Sequence, residues 1–328
     1  MIKVGVIGVG HIGRMHLQQL QGLTEYYEVV GFYDQSKERS VVVEQETQVK
    51  AASTIEELMA GVEALVIATP TSSHFSIAAQ AIRQGKHVFI EKPICATLEQ
   101  ARGICDLAFE AGVKVQVGQV ERYNPAFLVL QKTQELAPMF IEAHRLATWK
   151  PRGVDVSVVL DLMIHDIDLV LSIVKSGIKR IHANGVAVVS NSIDIANARL
   201  DFFNGCVANL TASRISLKPM RKMRFFQRNA YITLDFLEKK VDIITISETP
   251  PSSPQNEVIS YDLNGITKYL FTTSLSVPST NAIAEELKDF ALCIARNTEP
   301  KISAHEATAA LEVALEIVER IAQLQEVE

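Results

Sequence analysis

Apolar residues in roughly the first 118 positions gather into short dense runs with amphipathic stretches between them. Five runs read as buried strands: residues 2–7 (IKVGVI), Glu28–Tyr33, 64–68 (ALVIA), 87–90 (HVFI) and 114–117 (KVQV). Between the first two, Ile12 to Leu20 carry apolar side chains at helical spacing. Two later helix starts carry Ser53-x-x-Glu56 and Thr97-x-x-Gln100, the pattern that satisfies the first free N–H groups of a helix. Alternation of strand and helix predicts a parallel sheet with helices on both faces. The pattern changes after Pro125. From about 180 to 247 polarity alternates residue by residue, as in ARLDF, CVANLTAS, AYITLDF and VDIITI, with an Asn204-Gly205 turn, and this predicts a largely antiparallel sheet. ETPPSSPQNE (248–257) reads as a surface loop, followed by a helix from Asn281 to Arg296 and another capped by Ser303-x-x-Glu306. The fold class is α/β, with a first domain over 1–119 and an α+β domain with a mostly antiparallel open sheet over 120–328.

The opening stretch, MIKVGVIGVGHIGRMH, places Gly8, Gly10 and Gly13 where a strand turns into a helix. A G-x-G-x-x-G alone is a weak signal, and its context decides. Here Gly8 permits the tight turn, Gly10 lets a pyrophosphate approach the backbone, and Gly13 allows the helix to pack closely on the strand. The helix start offers free N–H groups and the positive end of its dipole. The second strand ends in Asp34, 21 residues after Gly13, where a carboxylate meets the adenosine ribose hydroxyls. The first domain is therefore a Rossmann dinucleotide-binding domain. Asp34 would repel a 2′-phosphate, which favours NAD, while Lys37 and Arg39 nearby keep NADP open.

At 328 residues the chain is long enough for two domains with cores of their own. No apolar run has the length of a membrane span, and the N-terminus runs directly into the first strand without the layout of a secretory signal. The four cysteines, Cys95, Cys105, Cys206 and Cys293, form no C-x-x-C pair and read as reduced core thiols of a cytoplasmic protein. A net charge of −6 argues against nucleic acid as the main partner.

Chemistry in an open α/β sheet gathers at the carboxyl ends of the strands. ATPTSSH (68–74), with Thr69, Pro70 and His74, follows one strand there, and EKP (91–93), with Glu91 and Lys92, follows another. Further on, LDLMIHDIDLV (160–170) places Asp161, His165 and Asp168 at i, i+4 and i+7, on one face of an otherwise apolar helix. Polar groups on such a helix need partners in a cleft. A histidine titrates nearest neutrality, so His165 suits proton exchange with an alcohol as hydride leaves, and a carboxylate one turn away can orient it. Two other readings stand beside this one. His and Asp are also metal ligands, though a single histidine on the stripe counts against a metal site. The third is a satisfied core histidine.

Taken together, the glycine motif, ATPTSSH, GKHVFIEKP and the D-x-x-x-H of LDLMIHDIDL resemble the glucose–fructose oxidoreductase / inositol dehydrogenase (Gfo/Idh/MocA) family over nearly the whole chain. The resemblance implies NAD(P)-linked oxidation or reduction at a sugar or cyclitol carbon, with Lys92, Asp161 and His165 as the catalytic residues and a cis Lys92–Pro93 bond. It also implies homodimers or homotetramers built through the C-terminal sheet. The expected cofactor contacts are Gly8, Gly10, His11, Ile12, Gly13, Asp34, Thr69, Pro70, His74, Glu91 and Lys92. VGQVERYNPAF (117–127) is similar to the subgroup acting on UDP-N-acetylglucosamine and related nucleotide sugars, which places Arg122, Tyr123 and Asn124 near the sugar. The stretch RISLKPMRKMRFFQR (214–228) has six basic residues and no acid, some of which are expected to meet a diphosphate, although basic strand edges are also common on solvated surfaces; Arg214 and Arg221, with Arg152, are expected among the substrate contacts. Two alternatives remain at this stage: a dehydrogenase of free inositol or a monosaccharide, and a non-catalytic dinucleotide-binding regulator.

Overall fold

The computed structural model describes residues 1–150, 156–251 and 258–325. The chain divides into two compact units, one of Met1–Tyr123 with Thr280–Glu312, the other of Asn124–Ser279 with Val313–Glu328.

The first unit holds a five-stranded parallel sheet: β1 (Ile2–Ile7), β2 (Tyr27–Tyr33), β3 (Ala64–Ile67), β4 (His87–Glu91) and β5 (Val115–Gly118), in the order β2-β1-β3-β4-β5. Its helices are α1 (His11–Gly22), α2 (Lys37–Thr47), α3 (Ile55–Ala60), α4 (His74–Arg83) and α5 (Leu98–Ala111). A parallel bridge between Phe32 and Ala51 adds a minimal strand outside β2. The strand order thus reverses between β1 and β3, and ligands of such sheets bind in the crevice beyond the carboxyl ends at that point. Strands buried on both faces read as continuous apolar runs, and Val4, Val6, Val66 and Phe89 are fully buried accordingly. The α3 cap falls one residue later than the sequence suggests: Thr54, not Ser53, accepts from Glu57 N at 3.1 Å, while Glu57 reaches back to Ser53 N. Thr97 caps α5 as expected, accepting from Gln100 N.

In the second unit α6 (Pro125–Thr133) precedes β6 (Phe140–Leu146), a π-helical turn at Val159–Met163, and α7 (Ile164–Ile173). The remaining strands are β7 (Ile178–Val186), β8 (Ile195–Phe202), β9 (Val207–Ser213), β10 (Met220–Gln227), β11 (Ala230–Asp235), β12 (Lys240–Ser247), β13 (Val258–Leu263) and β14 (Ile266–Ser274). They form one sheet in the order β13-β14-β12-β11-β10-β6-β9-β8-β7, antiparallel at every described pairing except β6 with β9. Period-two alternation is visible on its buried face, where Ile141, Ala143, Met223, Phe225, Ile232 and Leu234 are all within 1% of full burial.

The chain then returns to the first unit as α8 (Ala282–Arg296), whose Leu287, Phe290 and Ala291 join the core of Val4, Val6, Phe32 and Phe89. The last helix, α9 (Ala304–Gln325), begins with the expected reciprocal cap between Ser303 and Glu306. This return separates the compact units from the contiguous 1–119 and 120–328 read from sequence. A helix whose apolar stripe completes a distant core has the same periodicity as one that serves its neighbours.

Candidate active site

In the first unit the glycines behave as their spacing requires. Gly8 has φ +86°, and a Cβ on it would lie 2.8 Å from Ala68 O. A Cβ on Gly13 would lie 1.8 Å from Gly8 O, so only glycine lets α1 approach the loop this closely. A Cβ on Gly10 would meet nothing within 4 Å. Gly10 lines a cleft of about 680 Å³ with Gly8, His11, Ile12, Asp34, Arg39, Thr69 and Pro70 among others. Gly10 is the N-cap of α1 without a side-chain cap bond, and no acid occupies the first turn, so the helix start suits an anion. The open space over Gly10, the uncapped helix start and the carboxylate at the far wall fit a dinucleotide.

Asp34 is nearly buried. Its Oδ2 accepts from Val9 N at 2.9 Å and its Oδ1 from Ser36 N at 2.9 Å, while Arg39 Nη1 donates to both oxygens at 3.1 and 3.2 Å. The carboxylate therefore pins the glycine loop as well as facing the cleft. His74, buried, spans the loops that follow β3 and β4: Nδ1 lies 3.0 Å from Pro93 O and Nε2 2.9 Å from Thr69 O. Half-buried Lys92 follows the end of β4, and the Lys92–Pro93 peptide is cis. The Glu91 carboxylate lies 2.6 Å from His16 Nε2.

The second unit carries the other expected catalytic residues. Asp161 lies in the π turn and His165 in the first turn of α7, both half-buried. A π turn widens the helix, so the two are not four positions apart on a regular α-helix as the spacing suggests. The expected single stripe divides by burial: Asp168 is 2% exposed, within the buried side of α7, whereas Asp161 and His165 keep access to solvent. Sequence reasoning passed over Asp166. Its Oδ1 and Oδ2 receive Arg145 Nη2 at 2.8 Å and Nε at 3.0 Å, with both residues buried and Phe236 lying 6.0 Å from the guanidinium. The signal was present in FIEAHRL, where alternation puts Arg145 on the buried face with Ile141 and Ala143, and a buried charge demands a partner.

The expected substrate residues separate. Arg122 and Tyr123 are buried in the first unit, Arg122 3.9 Å from Glu306 and Tyr123 donating to Asp289 Oδ2 at 2.6 Å. Burial raises the Tyr123 phenol far above its ordinary pKa. Asn124, in the second unit, caps α6 by accepting from Ala126 N and donates to Phe236 O at 3.1 Å. Arg214 is buried 3.9 Å from Asp194 and donates to Val156 O. Pleating divides the rest of the basic stretch. Lys222 and Arg224 turn to one face, paired with Asp235 at 3.1 Å and Glu142 at 2.8 Å, while Arg221 stands exposed on the other, in register with Arg145. Arg152 lies outside the described residues.

Residues 2–119 match an oxidoreductase family with an NAD-binding Rossmann fold, and residues 138–232 match the GFO/IDH/MocA C-terminal domain. The chain belongs to the GFO/IDH/MocA oxidoreductase family. As a member it is an NAD-binding oxidoreductase, and its relatives in the GFO/IDH/MocA family are sugar and cyclitol dehydrogenases. UDP-N-acetylglucosamine 3-dehydrogenase of Acidithiobacillus ferrooxidans is 39% identical over 242 residues, 74% of this chain and 76% of that protein. A solved structure of that enzyme has a TM-score of 0.87 at 33% identity, covering 98% of this chain and 97% of the other. The scyllo-inositol 2-dehydrogenase (NAD(+)) of Bacillus subtilis is 25% identical over 235 residues, 66% of this chain and 68% of that protein. Among the described residues no group of acids, cysteines and histidines has the makings of a metal site, and no helix is long and apolar enough to cross a membrane.

Proposed function

We propose that this chain is an NAD-dependent dehydrogenase of a UDP-sugar, oxidising the 3-hydroxyl of UDP-N-acetylglucosamine or a close analogue. The observation that carries the reading is the 33% identity, sustained over 98% of the chain, to an enzyme named for that reaction. Oxidation removes a hydride from the sugar carbon and a proton from its hydroxyl. When bound, NAD accepts the hydride. Lys92 holds the reacting oxygen with its ammonium group, His165 takes the hydroxyl proton, and Asp161 orients His165. Arg221 offers planar donors to the diphosphate, with Arg152 a further substrate contact. Arg122, Tyr123 and Asn124, whose side chains are committed to internal bonds, shape the ground beside the sugar, and Arg214 supports it from its seat against Asp194.

We also read the enzyme as a cytoplasmic homo-oligomer. All four thiols are free and buried, which suits a reducing compartment, and the sheet of the second unit leaves Phe226 and Arg199 exposed on its face away from Phe225.

The test is the absorbance of reduced nicotinamide during incubation with NAD and a panel of sugars. UDP-N-acetylglucosamine is expected to give the highest kcat/KM, and Arg221→Ala is expected to raise KM more than it lowers kcat, as loss of uniform binding does. A higher kcat/KM with free inositol or glucose would overturn the substrate assignment.

A further inference from the structure

Helix α1 packs on the sheet through Gly13, His16, Leu17 and Leu20. His16 is the odd member, an imidazole 1% exposed at a core position of the helix that begins at the dinucleotide loop. A polar group at such a place must be answered. The answer is Glu91, whose Oε1 lies 2.6 Å from His16 Nε2. The ring edge also rests against Phe89 on the same strand, with centroids 5.1 Å apart at 63°. With the carboxylate as acceptor Nε2 is the donor of this bond, and Nδ1 is buried without a hydrogen-bond partner among the described residues. The imidazole therefore has one polar contact, and it ends at the residue before Lys92.

The carboxylate is confined on its other sides. Its Oε2 accepts from Lys92 N at 3.3 Å. Beneath it lies Gly118 at the end of β5, where a Cβ would stand 2.9 Å from Oε1 and 3.1 Å from Oε2. So the backbone amide of the lysine, the carboxylate before it, the buried imidazole and α1 form one unbroken set of contacts. An apolar side chain at position 16 would fill the same core without tying it to the carboxylate.

We propose that His16 is a positioning residue: through Glu91 it fixes the backbone on which Lys92 is mounted, and so joins the helix of the dinucleotide loop to the lysine that holds the reacting oxygen. The inference rests on the role given to Lys92 above, but its first test does not need turnover.

That test compares wild type with His16→Leu, His16→Gln and Gly118→Ala. Leu keeps the packing against Phe89 and removes the donor, Gln keeps a donor of similar reach, and Ala at 118 displaces the carboxylate from the opposite side. Acylation of Lys92 by acetic anhydride, read by mass spectrometry of its peptide, is expected to quicken in His16→Leu and Gly118→Ala and to fall back toward wild type in His16→Gln. In turnover, the first two variants are expected to lose about 10–100-fold in kcat with little change in KM, as misplacement of a reacting group does. His16→Gln is expected to recover most of that loss. Equal acylation of Lys92 in all four proteins, or equal loss of kcat in His16→Leu and His16→Gln, would overturn the proposal. If acylation shifts as expected while Lys92→Met turns over normally, the positioning link stands and the role of Lys92 in the reaction falls.

Discussion

The Asp34 carboxylate accepts from Val9 N, Ser36 N and Arg39, so a ribose that approaches it must share it. Removing it frees the glycine loop and deprives the ribose of its acceptors. Asp34→Ala is expected to weaken NAD about 10–100-fold by calorimetry, the loss of one or two charge-assisted hydrogen bonds, and to weaken NADP less because Arg39 is then free to meet a 2′-phosphate. At the proposed proton acceptor, His165→Asn keeps polarity but takes no proton at neutral pH. Turnover is expected to fall about 10²–10⁴-fold while NAD binding persists, and normal kcat in both this variant and Lys92→Met would remove the pair from the mechanism. Residues of this kind were legible because a local spacing specifies them: three glycines fix the loop, and the strand end fixes Asp34. Tyr123 with Asp289 and Arg145 with Asp166 were not, since each pair is made by the fold across 166 and 21 residues.

Elements were read more surely than the joints between them. Each of the five parallel strands lies within a residue or so of its apolar run, because a strand buried on both faces needs such a run. The π turn under Asp161 was hidden, as it leaves the apolar periodicity almost unchanged. The loop between β7 and β8 is a joint with a measurable consequence. Asp194, fully buried, accepts from Val188 N, Val189 N and Ser190 N at 2.8–3.0 Å and from the Ser190 hydroxyl at 2.7 Å. Burial alone would raise the pKa of this carboxyl, but these donors outweigh it and hold it at about 2. A pKa lowered by folding stabilises above the unfolded carboxylate value of about 4 and loses that contribution as pH falls toward 2. Asp194→Ala is expected to cost about 2–4 kcal/mol in urea denaturation at pH 7. The gap between wild type and Asp194→Asn is expected to narrow between about pH 5 and pH 2.5; a gap independent of pH would show that the loop does not depend on the ionised carboxylate.

Over the whole molecule, the two sheets were legible in kind but not in how the chain is shared between the two units. If copies meet through the second sheet, light scattering of the wild type gives a dimer or larger, and Phe226→Glu lowers that mass while far-ultraviolet dichroism is kept. An unchanged mass in the variant would place the contact elsewhere. The return of α8 has a further consequence, and it concerns time. Tyr27 hydroxyl donates to Leu287 O at 2.6 Å, and Phe290 packs on Phe89 with centroids 5.9 Å apart, so the oldest strands of the chain wait for one of its youngest helices. A ribosome adding about 5–20 residues per second takes roughly 9–36 seconds between finishing the fifth strand and releasing that helix. Throughout that interval the nascent N-terminal sheet has an apolar flank with no cover of its own, while the whole second sheet is being synthesised behind it. The dinucleotide loop is translated long before α8, and the core beneath it closes only after that helix arrives.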